Sequence, residues 1–115
     1  MPISTYILPP LMLIASNVFM TFAWYGHLKY KAAPLLTVIL ISWGIALAEY
    51  CLAVPANRIG HAVYPAATLK VMQEVITLII FVGFSFLYLR ESLSLSQLVG
   101  FGLIAGGAAL VILKP

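Results

Sequence analysis

Charge is scarce in this sequence. Three acidic residues and six Lys or Arg are spread over 115 residues, while 63% of the chain is apolar. So few polar groups cannot cover a water-facing surface, and a chain this short cannot bury that much apolar side chain inside itself. Lipid must be the solvent. The net charge of +3 does not indicate nucleic acid, because the basic residues stand singly and mostly at the ends of apolar runs, as snorkelling anchors and topology signals do. A single cysteine, Cys51, excludes an intrachain disulfide and a cysteine metal cluster. His27 and His61 have no metal-ligand companion at useful spacing, so no metal site is expected. The sequence also has no nucleophile–base arrangement and no cofactor motif, which argues against an enzyme.

What is abundant is long apolar sequence, and turn and cap signals divide it into four spans, at about residues 10–29, 34–54, 65–89 and 95–113. The first follows Pro9-Pro10 and closes at Lys29 and Lys31; without a basic leader or a small-residue cleavage site, it reads as a retained helix. Pro34 suits the first position of the second span, and Pro55 is expected to end it after Val54. The third opens at Pro65 and stops at Arg90-Glu91. The fourth starts with Ser94 and Gln97 at capping-box spacing. These signals predict an all-α membrane protein of one four-helix domain covering residues 1–115, with short loops and both termini on one side.

Two of the three acids, Glu49 and Glu74, fall inside these spans. A carboxylate at the bilayer centre costs about 2.5–3.5 kcal/mol on insertion scales, so each must be paired, solvated or protonated, and both are candidates for function. Lys70 stands one helical turn before Glu74 and can pair with it, either as a structural ion pair or as part of a site. Glu49 has no cation within its own helix; unless Arg58 or Lys70 satisfies it, it is the better candidate for a protonatable carboxylate for which a substrate competes.

Helical periodicity groups the other polar residues. Lys70, Glu74, Thr77, Phe81, Ser85 and Tyr88 recur at steps of three or four, as do Ser42, Ala46, Glu49 and Ala53, and Asn17, Thr21 and Trp24. Three such stripes are expected to converge around an internal cavity. Trp43 is too deep in its span for an interfacial belt and either packs in the core or offers its face to a cationic ligand. Asn57 and Arg58, in the connection after Val54, form either a tight interfacial turn with Arg58 on lipid phosphate or a gate at the end of the bundle.

Basic residues nearly balance across the membrane: Arg58, Lys114 and Lys70 on the side of the termini, Lys29, Lys31 and Arg90 on the other. Since Lys and Arg bias sets orientation, a difference near zero permits insertion both ways and an antiparallel homodimer. In the fourth span Gly102 and Gly106, extended by Ala109, make a small-residue face on which two helices can approach closely, the expected dimer interface.

At this point the chain resembles a family. Phe86–Ser94 followed by Gln97–Gly100 and Gly106-Gly107 looks like the end of a repeat in the drug/metabolite transporter superfamily. The stretches 22–29, Glu49-Tyr50, 54–60 and Gln73-Glu74 look like an uncharacterised four-helix, domain-of-unknown-function family of that superfamily, related to the small multidrug resistance proteins. The resemblance implies a four-helix unit that pairs into an antiparallel eight-helix homodimer in the bacterial inner membrane. Together with the two intramembrane acids, it leads to the expectation of a secondary transporter that exchanges protons for a small cationic or zwitterionic metabolite. Glu49 and Glu74 are then the proton and substrate sites, with Lys70, Asn17 and Trp43 lining the cavity. Small multidrug resistance proteins carry their essential glutamate in the first helix, where this chain offers Ser16, Asn17 and Thr21 but no acid, so their mechanism does not transfer residue by residue. The competing expectation is a non-transporting membrane subunit assembled with a partner protein.

Overall fold

The computed structural model describes residues 3–113; the expectations placed on Lys114 lie outside them. Within that range the chain is helical, with α1 Ile3–Tyr25, α2 Leu35–Gly60, α3 Ala66–Phe84 and α4 Leu95–Leu113. A 3₁₀ turn, Gly26–Tyr30, extends α1, and a single π-helical turn, Ser85–Leu89, extends α3. The four resulting segments are long and apolar enough to cross a membrane. Helix α1 is the centre of the arrangement: it packs against α2 on one side and α3 on the other, and α4 attaches mainly to α3. The result is a slab of 49 × 34 × 18 Å, so most large apolar side chains stay on its outside, where lipid meets them.

Two boundaries differ from the sequence expectation, both at prolines. Helix α1 runs through Pro9 and Pro10 and begins at Ile3. Helix α2 runs through Pro55 and ends at Gly60, not Val54. An interior proline loses one backbone bond and costs roughly 3 kcal/mol in water. Unwinding the last turn would instead release several backbone hydrogen bonds at once. Continuing the helix is the cheaper solution, and packing supports it: Ala56 is fully buried and Gly60 is buried in the crossing with α1 and α3. Gly60 is required there, because a Cβ would stand 2.9 Å from Leu69 Cδ2 and 3.1 Å from Pro9 Cβ.

The carbonyl that Pro10 leaves without its helical donor is that of Tyr6, and the Tyr64 hydroxyl donates to it at 2.9 Å, with the two rings edge to face. At the other end the Tyr88 hydroxyl donates to the Gly26 carbonyl at 3.3 Å, within a cluster of Phe22, Phe84 and Tyr88. One tyrosine at each end therefore ties α1 to the chain around α3. Tyr64→Phe should destabilise the protein by about 1–2 kcal/mol, because the Tyr6 carbonyl then has neither its helical partner nor a substitute. Thermal denaturation in detergent, with the exposed Tyr50→Phe as control, measures this; equal stability of the two variants would show that the bond contributes nothing.

The remaining termini match the sequence. Arg90, at φ 57°, closes the third span in the left-handed conformation, and the Glu91 amide reaches back to the Ser85 carbonyl at 2.9 Å. Ser94 and Gln97 exchange both bonds of a capping box, at 2.9 and 3.2 Å.

Candidate functional site

The interior of this protein is small and polar. Along α1 the buried side chains are Pro9, Leu13, Ser16, Asn17, Thr21 and Ala23, a stripe at helical spacing that faces α2 and α3. Along α2 the inner face is Ser42 and Ala46, half-buried, then Glu49, Ala53, Ala56 and Gly60, all buried. Small residues on both helices allow the close approach that brings their polar groups together.

Glu49 is the centre of this interface. It is 7% exposed, and its Oε1 accepts a 3.0 Å hydrogen bond from the Ser16 hydroxyl of α1. Among the described residues no cation pairs with Glu49; neither Arg58 nor Lys70 reaches it. Because α2 continues past Pro55, Glu49 stands eleven residues from the helix end at Gly60, about 16 Å along the axis at 1.5 Å per residue. That is near the middle of the span and deeper than the sequence boundary implied. A buried carboxyl group at mid-membrane, held by one hydroxyl and no positive charge, can exchange a proton or a cationic ligand without first breaking an ion pair.

Asn17 and Thr77 form the adjoining layer. The Thr77 hydroxyl donates to Asn17 Oδ1, Asn17 Nδ2 donates to the Leu13 carbonyl at 2.8 Å, and Thr21 donates to the Asn17 carbonyl at 2.7 Å. Asn17 is thus where the sequence expected it, inside the bundle, but its side chain is engaged on both ends as the tie between α1 and α3. Every fully buried side-chain nitrogen or oxygen among the described residues has a partner.

Other candidates stand outside this layer. Lys70 and Glu74 do form the expected i, i+4 pair, at 2.8 Å, but their side chains are 74% and 49% exposed. The convergence expected for their stripe fails at this end, because Leu69 and Gln73, one position earlier, take the inward positions of α3. Trp43 is 69% exposed, and so is not a core residue; it borders an open groove of about 380 Å³ with Met20, Trp24 and Ala46. Trp24 likewise faces outward, its indole N–H on the Met20 sulfur, so it does not continue the Asn17–Thr21 stripe. Asn57 and Arg58 are in the last turn of α2, not in a loop, and Asn57 Oδ1 accepts from Gln73 Nε2 at 2.9 Å. Gly102, Gly106 and Ala109 are exposed, and nothing lies within 4 Å of a Cβ built on either glycine. That small-residue face is therefore not used within the chain.

Ser16 is the site residue that sequence reasoning did not single out. Its signal was present: Leu13, Ser16, Asn17 and Thr21 keep one face at helical spacing, whereas following the stripe to Trp24 turned it toward lipid.

As an exposed pair, Lys70 and Glu74 should couple by only about 0.3–0.5 kcal/mol in a double-mutant cycle of Lys70→Gln and Glu74→Gln. A coupling above about 1 kcal/mol would mean that the pair is covered in the working assembly. Chemical denaturation of the four proteins in detergent measures it.

No curated protein and no solved structure matches this chain. A family described as "Putative member of DMT superfamily (DUF486)", DMT being the drug/metabolite transporters, matches residues 9–112, which include Ser16, Glu49, Thr77 and the capping box of α4. With a bundle of membrane-spanning helices and a polar layer at mid-span, the chain belongs to this family of the drug/metabolite transporter superfamily.

Proposed function

We propose that the protein is a small homodimeric secondary transporter that exchanges protons for a small cationic or zwitterionic metabolite across a bacterial inner membrane. Glu49 is the shared proton and substrate site. The observation that carries this reading is the buried, cation-free Glu49 carboxyl held by Ser16 at mid-span. A purely structural glutamate would be expected to have a positive partner, since an unpaired charge in lipid is costly.

Asn17 and Thr77 hold the wall of the site, while Trp43, Lys70 and Glu74 are on open faces where a second copy would add to them. Support for a dimer comes from the slab shape, from the unpartnered face of Gly102, Gly106 and Ala109, and from the near-equal basic counts at the two membrane sides. The Lys70–Glu74 pair is the one observation that favours a non-transporting subunit with fixed ion pairs. Proteoliposomes separate the two. Uptake or efflux of at least one member of a panel of amines and amino acids should follow an imposed pH gradient and collapse with a proton ionophore. A panel with no gradient-driven flux above protein-free liposomes would favour the subunit.

A further inference from the structure

Where α2 ends and α3 begins, the helices diverge around an open cleft of about 370 Å³ that does not include Glu49. Arg58, His61 and Lys70 line it, Leu69 adds an apolar wall, and the hydrogen-bonded Asn57 and Gln73 bridge α2 and α3 at its edge. None of the residues lining it is acidic. The Lys70 ammonium donates one hydrogen bond to Glu74 and has two further N–H donors. His61 Nδ1 faces the Tyr64 carbonyl at 3.2 Å, which leaves Nε2 as its other polar atom. Arg58 is exposed and, among the described residues, no ion pair uses its guanidinium.

We infer that this cleft binds a phosphate group, either the phosphodiester of an anionic phospholipid or a free phosphate. The guanidinium supplies a planar fork that matches two phosphate oxygens, and the Lys70 ammonium and the Asn57 amide supply further donors. Arg58 is in the last turn of α2 and Lys70 in the second turn of α3, so the cleft is at a helix end, at the depth of headgroups and not of acyl chains. Basic pockets between membrane helices at that depth are suited to anionic headgroups. Glu49 plays no part in this site; Lys70 is the one residue it shares with the transport reading, and the test below rests on Arg58.

The test uses the full chain purified in a neutral detergent, with its thermal unfolding midpoint followed by tryptophan fluorescence. One arm titrates mixed micelles of phosphatidylglycerol against phosphatidylcholine; the other titrates inorganic phosphate against chloride at constant ionic strength. Saturable stabilisation of the wild type is expected in at least one arm. Stabilisation by the lipid alone identifies a headgroup site, and stabilisation by inorganic phosphate identifies a site for the free anion.

Arg58→Gln should weaken the apparent affinity about tenfold or more, as loss of a charge-assisted bond does, and Arg58→Lys should recover part of it, because charge is kept and the fork is lost. Lys29→Gln, which removes one charge at the opposite end of the bundle, should leave the affinity unchanged. Should Arg58→Gln not fold, Arg58→Lys and His61→Ala provide the comparison. Absence of stabilisation in both arms overturns the assignment, as does an equal loss in Lys29→Gln and Arg58→Gln.

Discussion

Glu49→Gln is expected to reduce pH-gradient-driven transport in proteoliposomes to the background of protein-free vesicles while leaving the stability within about 1 kcal/mol of wild type. Glutamine keeps the volume and, through its amide oxygen, still accepts the Ser16 hydroxyl, so the α1–α2 contact is retained. Only the ionisable proton is lost. The same substitution should remove one carboxyl stretching band from the infrared difference spectrum between acidic and alkaline buffer, a readout that requires no known substrate. Glu91→Gln, in the loop after the π turn, is the control and should transport normally. Ser16→Ala should fall between them, because the Glu49 carboxyl remains but loses the group that orients it. Gradient-driven flux surviving in Glu49→Gln would remove this residue from the mechanism.

The other large effect concerns orientation. Two lysines added after Leu113, or neutral residues in place of Lys29 and Lys31, should each drive nearly all copies to insert with their termini in the cytoplasm, since small changes in Lys and Arg near span ends decide topology. Each biased form alone should lose transport, and co-expression with an oppositely biased form should restore it. The α4 face supplies a second handle. Gly106 is exposed with open space around it, so Gly106→Leu should leave the single chain folded while preventing close approach of a second copy. Size-exclusion chromatography with light scattering in detergent should then report a monomer. Labelling a cysteine at position 114, in a background lacking the exposed Cys51, decides the topology: copies labelled from one side only would rule out dual insertion.

The sequence by itself determined the solvent, the number of spans and the stops that rest on local chemistry. Charge scarcity and span length identified lipid, and the Ser94–Gln97 capping box and the Arg90-Glu91 stop depend only on residues a few positions apart, so they were legible. Glu49 also stood out, because an acid in an apolar run is conspicuous without any structure. Tertiary structure alone decided the rest. Whether Pro9, Pro10 and Pro55 end or merely interrupt a helix depends on what packs beyond them: the Tyr64 hydroxyl on the Tyr6 carbonyl, 58 residues away, and Gly60 against Pro9 and Leu69. That outcome put Glu49 at mid-span and moved Asn57 and Arg58 onto a helix. Which polar residues turn inward was equally a matter of contact. Periodicity groups residues on a face but does not say which face meets a neighbour, and so Ser16 and Thr77 went in while Trp43, Lys70 and Glu74 stayed out.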